Sequence, residues 1–305
     1  MTSTPVIEVS NLTKRFGDLV AVDGLEFSVS SGEVTGFLGP NGSGKSTTLR
    51  TIVGLNLPTS GTATINGENY RDLAYPLRHV GAFLDAKSLP TKLRARTYLR
   101  ILARSNNIAT TRVDDVLNFV GIASVAHKRI AEFSLGMAQR LGIAVALLGD
   151  PEVLIFDEPM NGLDPDGIRW MRQVFSSLAQ EGRTVLVSSH LINEIATCAH
   201  RVIVIGQGQL LAQGTVDELT VRVDAAVTFS SRDNAGLIAL VEGHGGTVSG
   251  TGQNTVSVSG LDAEQIGQLA MDARIALTQL VTLRDSLEDS YFELTQRSLD
   301  FQVGH

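Results

Sequence analysis

Gly39-Pro40-Asn41-Gly42-Ser43-Gly44-Lys45-Ser46-Thr47 decides how the rest of this chain is read. The stretch fits the pattern G-x-x-x-x-G-K-[ST] at every fixed position. Glu33-Val34-Thr35-Gly36-Phe37-Leu38 before it reads as a short buried strand, and Thr47 to Val53 after it as the start of a helix. In a strand-loop-helix setting the glycines let successive backbone N–H groups point inward at one anion. The positive end of the helix dipole faces the same spot. Lys45 then reaches the outer phosphates of a nucleotide, and the Ser46 hydroxyl holds a magnesium ion. The competing reading is a glycine-rich turn that merely satisfies the pattern.

The chain has 305 residues, enough for one large domain and a smaller one. Its 43% hydrophobic and 19% charged content suit a packed globular protein. A net charge of −7 argues against a broad nucleic-acid footprint, so no nucleic-acid partner is expected. Cys198 is the only cysteine, which rules out an internal disulfide and fits a reducing compartment. Met1-Thr2-Ser3-Thr4-Pro5 lacks the charged and apolar blocks of a signal peptide. No apolar run approaches the roughly 20 residues that span a bilayer. Action at a membrane would need spans from another chain.

Ahead of the phosphate loop, Val6–Val9, Leu19–Val22 and Leu25–Val29 read as strands with turns at Gly17-Asp18 and Asp23-Gly24, an antiparallel β subdomain. From Arg94 to His127 the pattern is helical, with Leu99, Leu102, Val116, Leu117 and Val120 as core positions. Leu141–Leu148 suits a buried helix. Val153–Phe156 and Thr184–Val187 are apolar runs of a parallel sheet, and Val202–Ile205 with Gln209–Ala212 reads as a hairpin. Near Thr220 the character changes. Residues 1–222 form one expected domain and 223–305 a second, with strands at Ala226–Phe229, Thr255–Val258 and Leu277–Leu283. Its expected helices run from Asn234 to Val241, from Ala263 to Ala273, and from an N-cap at Ser286 onward.

Val153-Leu154-Ile155-Phe156-Asp157-Glu158-Pro159 is an apolar strand ending in two carboxylates. Ligands of a nucleotide-binding α/β sheet sit beyond the carboxyl ends of its strands. Asp157 is thereby placed to bind magnesium through water, and Glu158 to polarise the water that attacks the γ-phosphate. Without the upstream loop, a strand running into an acidic surface turn would explain the same residues.

Phe133-Ser134-Leu135-Gly136-Met137-Ala138-Gln139-Arg140 resembles the signature segment of ATP-binding cassette (ABC) proteins, usually L-S-G-G-Q followed shortly by Gln-Arg. Phe133 replaces the usual Leu, Leu135 the first Gly and Met137 the Gln. The resemblance covers about residues 5 to 220 and implies an α/β P-loop NTPase cassette. That cassette has an N-terminal antiparallel β subdomain and a helical subdomain, here followed by a small C-terminal α+β domain. It implies that Gly39, Pro40, Asn41, Gly42, Ser43, Gly44, Lys45, Ser46 and Thr47 bind ATP. Ser134 and Gly136 would contact the γ-phosphate of a partner subunit's ATP, where Ser134 also serves as a plain N-cap. Phe16 matches the aromatic on which adenine stacks, a core aromatic being the alternative.

Further motifs fall in the family's order. Asn161-Gly162-Leu163-Asp164 matches the loop that crosses the dimer interface, where Asp164 equally suits a cap before Pro165. His190, after the strand ending Ser188-Ser189, matches the switch histidine. Where the family carries a Gln touching magnesium and the membrane subunit, this chain has Asp85, which is shorter; a simple loop carboxylate is the alternative. Catalysis would rest on Glu158, His190 and Lys45, and magnesium on Ser46, Asp157 and Asp85. The segments around Ser134, Asp85, Asn161 and Ser286 resemble antibiotic and multidrug exporters such as daunorubicin- and bacitracin-resistance ATPases. The implied protein is a peripheral subunit at the cytoplasmic face of the membrane. Two copies would sandwich two ATP molecules head to tail and drive a separate permease. The rivals are a soluble mechanochemical ATPase on nucleic acid or ribosomes and a nucleotide-sensing module; one cassette, no sustained heptads and an intact Glu158 count against them.

Overall fold

The computed structural model describes residues 5–220, 227–251 and 255–282. Two compact units divide between Val216 and Asp217. The expected boundary at 222/223 and the closing helix from Ser286 lie outside the described residues.

The first unit opens with β1 (Pro5–Phe16) and β2 (Leu19–Ser30), joined by the expected tight turn at Gly17-Asp18. The second expected turn, at Asp23-Gly24, is not one: β2 runs straight through it. The pairing shifts between Val9 and Leu12 and again between Leu12 and Lys14, and Asn11 and Gly24 both have positive φ. These two one-residue shifts, one on each strand, offset each other around Leu12; two further shifts fall between Pro5 and Ile7 and between Lys14 and Arg15. A turn-like dipeptide thus marks a bulge within one long hairpin.

β3 (Val34–Leu38) is buried at every position and runs into the phosphate loop, after which α1 (Lys45–Ile52) begins. β4 (Ser60–Ile65) completes a three-stranded antiparallel sheet in the order β2-β1-β4. β5 (Val80–Phe83) leads into the helical part, α2 (Ala95–Ser105), α3 (Arg112–Phe119) and α4 (Leu135–Leu147). Leu99, Val116, Leu117 and Val120 are buried there, whereas Leu102 is half-buried. The chain returns through β6 (Val153–Asp157), α5 (Pro165–Gln180), β7 (Thr184–Ser189), the short α6 (Ile192–Ala196), β8 (Arg201–Gly206) and β9 (Gln209–Thr215). α7 (Val216–Thr220) lies at the division of the units.

The main sheet has the order β5-β6-β7-β3-β8-β9, parallel except for the β8–β9 hairpin. β6 and β7 are buried on both faces, so their sequences are continuous apolar runs rather than alternating ones. Each such Val, Leu, Ile or Phe removed from water contributes about 1.5–3 kcal/mol. The core of the antiparallel sheet, α1 and the main sheet is continuous, with Phe27 and Phe37 rings 5.3 Å apart.

The second unit contains β10 (Val227–Ser231), α8 (Asn234–Gly243), β11 (Thr247–Thr251), β12 (Val256–Ser259), α9 (Ala263–Asp272) and β13 (Leu277–Thr282). Its antiparallel sheet has the order β11-β12-β10-β13, the split β-α-β arrangement of ferredoxin-like folds. β11 was not expected: Thr247-Val248-Ser249-Gly250-Thr251 is polar and glycine-containing, and it pairs with β12 through an irregular register.

Candidate nucleotide site

Register brings the motifs together. Asp157 stands opposite Ser188 in the β6–β7 ladder, and Leu38 opposite Ser189 in the β3–β7 ladder. The carboxyl ends of three adjacent strands therefore deliver the phosphate loop, Asp157-Glu158 and His190 to one edge of the sheet, as the crevice rule for α/β sheets requires.

The loop itself is tightly specified. Gly44 has φ +102°, and a β-carbon there would lie 2.5 Å from the Ala21 carbonyl oxygen. Only glycine allows both the left-handed backbone and the approach of β2. The Ser43 N–H donates to Pro40 O, and Ser43 O accepts from Gly208 N–H at 2.9 Å, so the β8–β9 turn braces the loop. Lys45 is buried, its ammonium donating to Gly39 O at 2.7 Å and Pro40 O at 3.2 Å. Ser46 is exposed on the first turn of α1, one residue further on.

Glu158 holds the centre. Its Oε1 lies 3.3 Å from Lys45 Nζ, and its Oε2 lies 2.7 Å from His190 Nδ1. Its own backbone has φ +49°, an uncommon conformation for a residue with a side chain. The Ser188 hydroxyl joins the two carboxylate residues, donating to Asp157 Oδ1 at 2.5 Å and accepting the Glu158 N–H at 3.0 Å. The sequence showed Ser188 only as part of a strand end. Nothing local to it points to a partner on another strand.

Ser46, Asp85, Asp157 and Glu158 line one cleft of about 490 Å³. Asp85 also caps the short turn that follows it, accepting the Lys87 N–H at 2.8 Å. Gln139, on α4, lines the same cleft; its Oε1 is buried without a hydrogen-bond partner. Sequence reading gave it no role beyond the signature pattern.

The other expected residues lie elsewhere. Ser134 caps α4, its Oγ accepting the Met137 N–H at 3.3 Å, and is exposed. A β-carbon on Gly136 would meet nothing closer than Leu163 Cδ2 at 3.7 Å, so packing within the chain does not demand glycine there. Asp164 caps α5, accepting the Gly167 N–H at 2.8 Å, with Pro165 at the first helical position. Phe16 ends β1 half exposed, with Lys14 Nζ 4.8 Å from its ring centroid. Ser134, Gly136, Asp164 and Phe16 do not line the cleft.

A glycine-rich loop with a buried lysine, set beside two carboxylates and a histidine on a parallel sheet, defines a nucleoside-triphosphate-binding α/β cassette. The family model described as ABC transporter matches residues 22–161, and one for a domain of unknown function matches residues 225–288. The chain is 41% identical to the bacitracin transport ATP-binding protein BcrA of Bacillus licheniformis, across 78% of this chain and 79% of that one. It is 35% identical to the uncharacterized ABC transporter ATP-binding protein YhcH of Bacillus subtilis, across 98% and 99%. A bacterial ABC transporter cassette solved as a dimer superposes with a TM-score of 0.63 at 26% identity, over 68% of this chain and 98% of that one. The chain belongs to the ATP-binding proteins of the ABC transporter family: it binds ATP and is an ATPase.

Proposed function

We propose that this chain is the ATPase subunit of an antibiotic or multidrug export system, pairing with a second copy and with a separate permease at the cytoplasmic face of the membrane. The observation that carries the catalytic part is Glu158 held between Lys45 and His190 beside Asp157. The 41% identity to a bacitracin transport ATP-binding protein supports the export part. Among the described residues no helix is long and apolar enough to cross a membrane, and in this reading the permease supplies the spans.

In this reading Gly39–Thr47 wraps the phosphates, and Lys45 moves from Glu158 and its two backbone carbonyls onto the β- and γ-phosphates. Glu158 then takes the proton of a water that attacks the γ-phosphorus, and the bond to the ADP oxygen breaks. His190 orients Glu158 and contacts the transferred phosphate. Phe16 stacks the base. Ser134 and Gly136 clamp the γ-phosphate bound by the other copy, and Asp164 lies at the seam between copies.

The residues fit magnesium. Ser46, Asp157 and Asp85 offer hard oxygen donors in one cleft, and Ser188 occupies only one oxygen of Asp157. Among the described residues no three His, Cys, Asp or Glu side chains cluster as a metal cage, as suits an ion held largely by phosphates and water. Bound there, magnesium would supply charge neutralisation on the β- and γ-oxygens. Residues 1–222 form the ATPase domain in this reading, and 223–305 an accessory domain that tunes dimerisation or docking.

The experiment is co-purification of the full chain from membranes, followed by ATPase assay with and without the captured partner. A polytopic membrane protein that stimulates turnover supports the reading. Recovery with ribosomes or nucleic acid instead would favour the soluble mechanochemical alternative.

A further inference from the structure

Leu135 stands where the family carries glycine, and its side chain rests on the loop that follows the carboxylate pair. A β-carbon on Gly162 would lie 2.5 Å from Leu135 Cδ2, and Gly162 has φ +72°. The packing is reciprocal: Leu163 Cδ2 is the nearest atom to a β-carbon built on Gly136. The close seat of Leu135 on Gly162 thus links the first turn of α4 with the turn 158–164, with Leu163 at ordinary contact distance beside Gly136. Leu135 is nonetheless half exposed and lines the cleft that holds Ser46, Asp157 and Glu158. A half-exposed leucine seated on a glycine gains little from burial, so its contribution is contact rather than core stability.

The turn beneath it is stiff. Asn161 N–H donates to Glu158 O at 3.1 Å, Leu163 N–H donates to Met160 O at 3.2 Å, and Asp164 is fixed as the α5 cap. A push on Gly162 is therefore delivered to the backbone of Glu158, which already sits at an uncommon φ. The side chain of Glu158 has two partners, Lys45 and His190, and only release from Lys45 leaves it available to a water.

We propose that Leu135 is a positioning residue that transmits occupancy of the opposite nucleotide site to Glu158. When Ser134 and Gly136 engage a second copy's ATP, the first turn of α4 shifts. Leu135 then drives Gly162, and the 158–162 turn aims the Glu158 carboxylate, given up by Lys45 to the phosphates of its own site, at the attacking water. This inference rests on the head-to-tail pairing proposed above. It makes the departure from glycine functional, since glycine at 135 would have nothing with which to reach Gly162.

The test uses the full chain and two variants. Leu135→Ala keeps a strong helix former in the first turn but removes the reach; Leu135→Met restores it. With two linked sites, wild type is expected to give a Hill coefficient for ATP approaching two. Leu135→Ala should lower kcat about tenfold and bring the Hill coefficient to about one, with little change in KM, and Leu135→Met should recover both. In a Glu158→Gln background, Leu135→Ala should still dimerise at the same ATP concentration. Wild-type cooperativity and kcat in Leu135→Ala would overturn the proposal, as would a non-cooperative wild type or equal loss in Leu135→Met. The underlying pairing is tested apart from this: Ser134→Ala in the Glu158→Gln background should fail to dimerise. If it dimerises normally, the clamp assignment fails.

Discussion

Lys45 Nζ and Glu158 Oε1 stand 3.3 Å apart, so the loop's buried cation and the carboxylate that follows β6 neutralise each other. Lys45 is nearly fully buried, and its remaining contacts are the Gly39 and Pro40 carbonyls. A buried ammonium held this way has its desolvation offset by these acceptors, which triphosphate oxygens would replace in the proposed reaction. In the proposed reaction one exchange of partners would fill the phosphate site and release Glu158 to act as base.

Lys45→Ala should abolish turnover. It removes the charge that stabilises the transferring phosphoryl group, a loss of several kcal/mol and on the order of 10³-fold or more in rate. Steady-state phosphate release checks this, and near-normal turnover would refute the assigned loop.

Glu158→Gln should keep ATP binding while stopping hydrolysis, because an amide does not accept the proton of the attacking water. It also takes the counter-charge from Lys45, so affinity for ATP should rise rather than fall. Titration with a fluorescent ATP analogue reads the affinity, and sizing in ATP reads the dimer that should accumulate.

Ser188→Ala should cut kcat about 10–100-fold with a smaller effect on KM. The hydroxyl both donates to Asp157 and accepts from the Glu158 N–H, and leaving such buried groups unmatched costs about 1–3 kcal/mol. Ser188→Thr keeps the hydroxyl and should retain most of the rate. Equal activity in all three proteins would remove Ser188 from the site.

Sequence alone carried the parts whose physics is local. The phosphate loop, the β6 run and the caps at Ser134 and Asp164 are each written within a few residues. Partners distant in sequence were not legible: Ser188 with Asp157, Lys45 with Glu158, and Leu135 with Gly162 meet only through sheet register and helix packing. Asp23-Gly24 misled because a left-handed glycine serves bulges as well as turns. β11 escaped because its residues lack the apolar alternation that marks a half-buried strand.

Burial pushes the Cys198 thiol up to about 11, opposed by Arg172 and reinforced by Glu194. The folded state therefore holds this proton more firmly than the unfolded chain does. The associated stability is fully present below about pH 9 and is lost as pH rises towards 11. Urea midpoints should thus fall more steeply between pH 8 and about 10.5 in wild type than in Cys198→Ala. Parallel slopes in the two proteins would contradict the burial effect.

Asp85 gives a prediction that separates chemistry from scaffolding. Its carboxylate lines the cleft with Ser46 and Asp157 and also caps the turn at Lys87. Asp85→Ala removes both functions and should cost about 1 kcal/mol of stability through the cap. Asp85→Asn keeps a cap and an acceptor oxygen but loses the charge, whereas Asp85→Gln keeps the acceptor and gains reach. If the carboxylate serves magnesium, Asp85→Ala should shift the metal dependence of ATPase activity to higher concentration and weaken stimulation by the permease. Asp85→Gln should recover both while its thermal midpoint stays low. If the cap alone matters, the order reverses: Asp85→Asn recovers activity and stability together, and Asp85→Gln recovers neither. Magnesium titrations with and without the permease, set beside melting curves for the three variants, decide between the two.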